Sequence, residues 1–186
     1  MNNNILDKKS RKMSKLLRHD PKPLIMDDKG WITAESLCKY LEITQEDLIW
    51  IVDNNDKKRF GFNEDKTLIR ANQGHSKGIA DEKEYTRITA LQAELELYHG
   101  TDDITADIIK NDKIIAGSRQ YVHWSPNIET AIKRARQRAF HNKTSPIVIV
   151  LKARNYIHSG GKLLLADNDV YLTPEIKGNT LEYKSI

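Results

Sequence analysis

The sequence predicts an α+β protein built as two lobes, and three observations carry that expectation. The first half holds three amphipathic stretches followed by two short alternating runs around a polar turn. The second half holds several short apolar runs and only two helical stretches. Between the halves, residues 77–94 are charged and weakly periodic. Short strands with few helices favour an α+β arrangement over a doubly wound sheet. The lobes are expected at 1–93, with a linker from about 77, and at 94–186. Each is long enough for a modest core.

In the first lobe, residues 5–18 place Leu6, Met13, Leu16 and Leu17 on one stripe, with Lys8, Lys9, Arg11, Lys12 and Lys15 around it. This is an amphipathic helix with a basic remainder, solvated or facing a phosphate backbone. Pro21 and Pro23 stop it, so Arg18 and His19 stand at a helix end. A turn at 27–30 and a short strand, Trp31-Ile32, come next. A helix is expected over 33–41, then another from Thr44 to about Asn54, with Leu48, Ile51 and Val52 on one side. Residues 58–62 and 67–71 alternate about a polar turn, which is a hairpin with Arg59 and Gly61 on one face. Three helices and a hairpin resemble a winged-helix module, a shape common among nucleic-acid binders, although shape alone does not fix function. Gln73-Gly74-His75-Ser76 ends the hairpin: three hydrogen-bonding side chains about a glycine, or simply a polar turn.

In the second lobe, an apolar approach through Leu95 and Leu97 breaks into His99-Gly100-Thr101, then resumes with helical spacing to Lys110. That reads as strand, tight turn, helix. Gly100 admits a close backbone or ligand. Thr101 or Asp102 caps the helix. His99, taken as a strand-end residue, either points into a cleft or bonds a neighbour. Residues 121–125 alternate as a strand. Asn127 caps a helix through about Phe140, whose flank of Lys133, Arg134, Arg136 and Arg138 is solvated or guides RNA. Strands are expected at 147–151, 162–165 and 170–172, with 181–183 closing the sheet.

Composition bounds the chemistry. The chain has 186 residues, 39% apolar and 30% charged, a net charge of +4 and a pI near 9.0, which admits nucleic acid without demanding it. No apolar run approaches the roughly 18 residues of a membrane span. The N-terminus lacks a signal-peptide pattern, so a cytoplasmic protein is expected. Cys38 is the only cysteine and the six histidines are scattered, so neither an internal disulfide nor a metal site is expected. A monomer is the default expectation.

The short motifs share one character. Arg18-His19, Arg59, Gln73-Gly74-His75-Ser76, His99-Gly100-Thr101, Arg119 and His123 are cations, neutral hydrogen-bonders or glycines, and carboxylates are nearly absent. No carboxylate pair, nucleophile elbow, Walker loop or dinucleotide glycine fingerprint presents itself. What remains suits anionic oxygens, since arginine forks bind phosphate and stabilise charge in phosphoryl transfer.

Leu16-Leu17-Arg18-His19, Lys58-Arg59-Phe60, Ile69 through Ser76, Tyr98-His99-Gly100-Thr101, Ser118 through His123, and Asn168 through Leu172 occur in one order. In that order they resemble the NAD-dependent RNA 2′-phosphotransferases, which remove the splice-junction 2′-phosphate from tRNA in fungi. The resemblance covers nearly the whole chain. It implies an N-terminal winged-helix RNA lobe and a C-terminal ADP-ribosyltransferase-like lobe with a split β-sheet. It implies a catalytic tetrad at Arg18, His19, Arg59 and Arg119, and NAD as co-substrate with no metal. The NAD pocket would include His99, Gly100, Thr101, His123 and Ser125, with Val170 where related protein-modifying transferases carry glutamate. Gln73, Gly74, His75 and Ser76 would meet RNA or phosphate. Tyr121 and Trp124 depart from the family pattern, which has His and Leu there.

The resemblance also implies two steps. The 2′-phosphate attacks the nicotinamide ribose, giving an RNA-2′-phospho-ADP-ribose intermediate. The neighbouring ribose hydroxyl then attacks phosphorus and frees 2′-OH RNA and ADP-ribose 1″,2″-cyclic phosphate. A phosphate nucleophile is already anionic and needs no carboxylate base, consistent with Val170. His19 would either hydrogen-bond the phosphate or help protonate the departing oxygen. Two other readings stand beside this one: an ADP-ribosyltransferase acting on nucleic-acid phosphate ends, and a non-catalytic winged-helix RNA-binding protein. The expected partner is a 2′-phosphorylated RNA, with tRNA one candidate.

Overall fold

The computed structural model describes residues 3–81, 83–90 and 94–186. The chain divides into two compact units, Met1–Glu84 and Tyr85–Ile186.

The first unit contains α1 (Asn3–Arg18), β1 (Ile32–Thr33), α2 (Ala34–Leu41), α3 (Gln45–Asp53), β2 (Phe60–Phe62) and β3 (Leu68–Ala71). The helices start where their caps dictate. The Thr33 hydroxyl accepts from the Ser36 amide, and Thr44 forms a reciprocal capping box with Asp47. The three strands form an antiparallel sheet in the order β1-β3-β2, with Ile32 opposite Ile69 and Phe60 opposite Ala71. The apolar stripe of α1 (Leu6, Met13, Leu16, Leu17) is buried with Leu37, Leu41, Leu48, Phe60 and Ile69 in one core. This core fixes the C-terminal end of α1, where Arg18 and His19 stand.

The second unit contains β4 (Thr86–Ile88), β5 (Glu96–Asp102), α4 (Asp103–Asn111), β6 (Lys113–Ile114), β7 (Val122–Trp124), α5 (Ile128–Asn142), β8 (Pro146–Lys152), α6 (Ala153–His158), β9 (Leu163–Leu165), β10 (Tyr171–Thr173), β11 (Ile176–Lys177), a short 3₁₀ turn (Gly178–Thr180) and β12 (Glu182–Ser185). Two antiparallel sheets dominate, β12-β8-β5 and β4-β9-β10-β7, and β11 pairs with β6. The two larger sheets meet at one bridge, where Tyr98 and Ser125 exchange backbone hydrogen bonds of 2.8 and 2.9 Å. Helix α5 packs across β5 and β8 through Ala131 and Ala135 against Val148 and Val150.

Two expectations need correction. The charged stretch before residue 94 is not all linker: Thr86–Ile88 is an edge strand paired with β9, Arg87 opposite Leu164. It belongs with the second unit because β9 supplies its hydrogen-bond partners, a tertiary cause with no local alternation behind it. Glu82 and residues 91–93 of that stretch lie outside the described residues. Strand β5 also runs on to Asp102 instead of turning at His99, because β8 pairs with it from Lys152 to Pro146. His99 is therefore a mid-strand residue opposite Ile149. Helix α6 and β11 carry no expectation from the sequence.

Candidate functional site

The residues singled out by sequence fall into two groups, one in each unit. In the first unit, the Gln73–Ser76 loop folds back onto the end of α1. The Ser76 amide donates to the Arg18 carbonyl at 2.8 Å, and His19 Nδ1 shares a 2.9 Å hydrogen bond with Ser76 Oγ. Gly74 has φ +90°, and a Cβ built there would sit 3.6 Å from the Arg18 Nε. The loop backbone thus passes beside the guanidinium in a conformation a side chain would strain. Arg18 is 8% exposed. Five sequence-predicted residues (Arg18, His19, Gly74, His75, Ser76) meet here, with Gln73 half-buried alongside in the loop.

His75 is 1% exposed, and neither ring nitrogen has a hydrogen-bond partner among the described residues. Burial, then the cations Lys83, Arg18, Arg70 and His19, push its pKa down to about 4. It is neutral at pH 7, and the positive charge around it comes from Lys83, Arg18 and Arg70. The unfolded chain takes up a proton near the ordinary value of 6.5, so folded stability is lost as pH falls from 6.5 towards 4. The expected loss by pH 4.5 is about 2–3 kcal/mol. It should be absent in His75→Asn, as read from urea unfolding midpoints at pH 7 and 4.5.

Arg59 immediately precedes β2, and its backbone is held from two sides. Its amide donates to Asn55 Oδ1 at 3.1 Å, and its carbonyl accepts from the Asn72 amide at 2.8 Å. The Asn72 side chain, 6% exposed, donates to the Lys58 carbonyl at 2.7 Å. Asn72 is a positioning residue that sequence reasoning passed over, because an asparagine after a hairpin reads as turn chemistry.

In the second unit, His99, Arg119 and His123 come together. His99 Nδ1–H donates to the His123 carbonyl at 3.0 Å, which leaves Nε2 with its lone pair. Burial and the cations Arg138, Arg134 and Arg119 push the His99 pKa down, against that hydrogen bond, so the ring is neutral. Arg119 Nη1 lies 3.5 Å from His123 Nδ1. Desolvation and the Arg134 cation push the Arg119 pKa down. Neither arginine has a carboxylate partner among the described residues. Arg134 is a member of this group that sequence reasoning treated only as part of a basic flank.

Gly100 answers to packing. A Cβ there would lie 2.0 Å from the Ala131 carbonyl oxygen, so β5 and α5 approach backbone to backbone. Thr101 is fully buried, and its hydroxyl has no partner among the described residues. Asp102, not Thr101, caps α4. Ser125 Oγ donates to the Asn127 carbonyl and accepts from the Asn127 amide, ordering the entry to α5. Val170 packs beside Leu164, Ala166 and Leu172.

Tyr121 and Trp124 both have structural roles. Tyr121 packs in the same small cluster, edge-on to Tyr85 with ring centroids 5.8 Å apart. Trp124 is 1% exposed, donates from Nε1 to Thr173 Oγ1 at 2.9 Å, and meets the His99 ring in a T-shaped contact with centroids 5.8 Å apart. It ties β7 to β10 and props the imidazole.

Residues 5–175 match the family model described as "RNA 2'-phosphotransferase, Tpt1 / KptA family". The chain is 36% identical over 192 residues to a "Probable RNA 2'-phosphotransferase" of Flavobacterium johnsoniae, covering all of both chains. It is 35% identical to the protein so named in Fusobacterium nucleatum, over 95% of this chain and 97% of the relative. It is 33% identical to that of Escherichia coli O6:K15:H31, over 98% of each. A match of this extent gives one conclusion: the chain belongs to the RNA 2′-phosphotransferase family of enzymes.

Proposed function

We propose that this chain removes an internal 2′-phosphate from RNA by transferring it to NAD, yielding 2′-OH RNA, nicotinamide and ADP-ribose 1″,2″-cyclic phosphate. The observation that carries the reading is the second-unit cluster: Arg119 and Arg134 without carboxylate partners, beside His99 and His123. Two such cations repel each other until an anion joins them. In a family that handles phosphate, a dinucleotide pyrophosphate and an RNA phosphate are the anions that fit.

We read the first unit, three helices and a three-stranded antiparallel sheet, as a winged-helix RNA lobe. We read the second, two antiparallel sheets bridged at Tyr98 and Ser125, as an ADP-ribosyltransferase-like NAD lobe. The donor set supports NAD there. His99 Nε2 offers an acceptor to a ribose hydroxyl, and the buried Thr101 hydroxyl lacks a partner among the described residues. Gly100, His123, Ser125 and Val170 complete the pocket in this reading. Bound NAD supplies the electrophilic ribose carbon, the nicotinamide leaving group and the neighbouring hydroxyl.

The chain's own residues do the rest. Arg18 and Arg59 grip the RNA phosphate with their forks, and Gln73, Gly74, His75 and Ser76 hold Arg18 and His19 in place and add donors. His19 hydrogen-bonds the phosphate or passes a proton to the departing 2′-oxygen. Arg119 stabilises charge building on the phosphoryl oxygens. Val170 presents no base, and an anionic phosphate needs none. The scheme uses no metal. The protein acts as a cytoplasmic monomer on 2′-phosphorylated RNA, tRNA included.

The test is an RNA oligonucleotide with one internal 2′-phosphate, incubated with and without NAD while RNA and small products are followed. Phosphate loss only with NAD, together with cyclic phosphate, is the expected result. RNA binding with no turnover and no stabilisation by NAD would overturn the reading in favour of a binding module.

A further inference from the structure

Helix α5 is amphipathic, but its largest apolar side chain lies on the outward face. Its inner stripe is alanine (Ala131, Ala135, Ala139), as the close approach of β5 requires. Its largest apolar side chain, Phe140, is 90% exposed. Phe140 shares the outward stripe with Lys133, Arg136 and Gln137, at i, i+3, i+4 and i+7 from Lys133, all exposed. The αL residue that ends the helix, Lys143, is exposed as well. Lys133, Arg136 and Lys143 have no carboxylate partner among the described residues, and Glu129 is the only acid on α5. Arg138, in contrast, is committed to Asp102.

A ring exposed among unpaired cations has a chemistry of its own. Aromatic faces stack on unpaired bases, while flanking cations meet phosphates, and single-stranded RNA is recognised in this way. The arrangement extends the cation cluster of the second unit: Arg134, which acts on Arg119, lies six residues before Phe140, about 9 Å along the helix axis. A strand of a few nucleotides covers that span.

We propose that the outward face of α5 is a docking surface for single-stranded RNA, on which an unpaired base stacks on Phe140 while Lys133 and Arg136 meet flanking phosphates. The proposal rests on the reading of RNA as substrate and adds a second point of contact, away from the reacting phosphate.

The test measures affinity of the full chain for single-stranded RNA bearing one internal 2′-phosphate, by fluorescence anisotropy across a salt series. Phe140→Ala is expected to weaken binding about 5- to 100-fold. Phe140→Tyr keeps the stack and the affinity, whereas Phe140→Leu, apolar but unable to stack, behaves like the alanine variant. The double variant Lys133→Gln/Arg136→Gln lowers the slope of log affinity against log salt by about 1.4. Melting temperatures stay at the wild-type value, because these side chains are exposed. Unchanged affinity in Phe140→Ala, or full affinity in Phe140→Leu, would overturn the proposal. So would Phe140-dependent binding to phosphatidylserine vesicles with RNA affinity unchanged. Affinity is read independently of turnover, so failure of the enzymatic reading shows as absent turnover in the wild type, and failure of the docking surface as unchanged affinity.

Discussion

Arg119→Ala is expected to slow 2′-phosphate removal about 100- to 1,000-fold while leaving the fold intact. The magnitude is that of deleting one preorganised donor to charge that develops in the transition state. The fold survives because Arg119 sits in the loop before β7, with the 3.5 Å approach to His123 as its side-chain contact. Removing it also relieves repulsion with Arg134, so the melting temperature should hold or rise slightly. The loss belongs in kcat more than in KM if Arg119 acts on developing charge; a pure KM effect would assign it to ground-state binding instead. Arg119→Lys restores a charge without the planar fork, and recovery is expected to be partial. Steady-state rates with saturating NAD, alongside thermal melts of both variants, decide the matter. Near wild-type turnover in Arg119→Ala would remove this residue from the mechanism.

Legibility in the sequence followed the range of the forces involved. Helix α1 and its stripe, the starts of α2 and α3 at Thr33 and Thr44, the Asn127 cap and the β2–β3 hairpin are all local matters of periodicity and turn chemistry, and the structure places them within a residue or two. Strand β4 was illegible because Thr86, Arg87 and Ile88 gain strand geometry from β9 alone. The reach of β5 to Asp102 was illegible for the same reason. At the candidate site, the motifs flagged His75 and His99, but nothing in them told that His75 is buried without partners or that His99 is held by a carbonyl. Arg134 hid in a run of cations, and only the fold separates the arginine that acts on Arg119 from Arg138, which serves Asp102. Tyr121 and Trp124 have packing roles: the Tyr121 ring meets Tyr85 edge-on, and the Trp124 indole is the donor to Thr173 Oγ1.

Asp102→Ala is expected to cost about 2–4 kcal/mol of stability, the largest structural effect of a single side chain near the site. Asp102 is 1% exposed and performs two tasks. Its Oδ1 accepts from the Thr105 amide at 2.8 Å and caps α4, and loss of such a cap costs about 1 kcal/mol. Its Oδ2 accepts from Arg138 Nε and from Asn142 Nδ2, stapling α5 to the end of β5, and charge-assisted bonds of this kind are worth about 1.5–3 kcal/mol. Arg138 is 41% exposed and can rehydrate, which keeps the loss below that of a fully buried pair. Burial alone would raise the carboxyl pKa; the Thr105 amide, Arg138 and Asn142 outweigh it and hold it at about 2. A depressed carboxyl stabilises the fold above its unfolded value of 3.8 and loses that contribution as pH falls through 2. Asp102→Asn keeps an acceptor for the cap and discards the charge, so it should fall between wild type and alanine at pH 7 and converge on wild type near pH 2. Denaturant unfolding of the three proteins across that range separates cap from charge. Equal stability of wild type and Asp102→Asn at pH 7 would show that the staple to α5 owes nothing to the carboxylate.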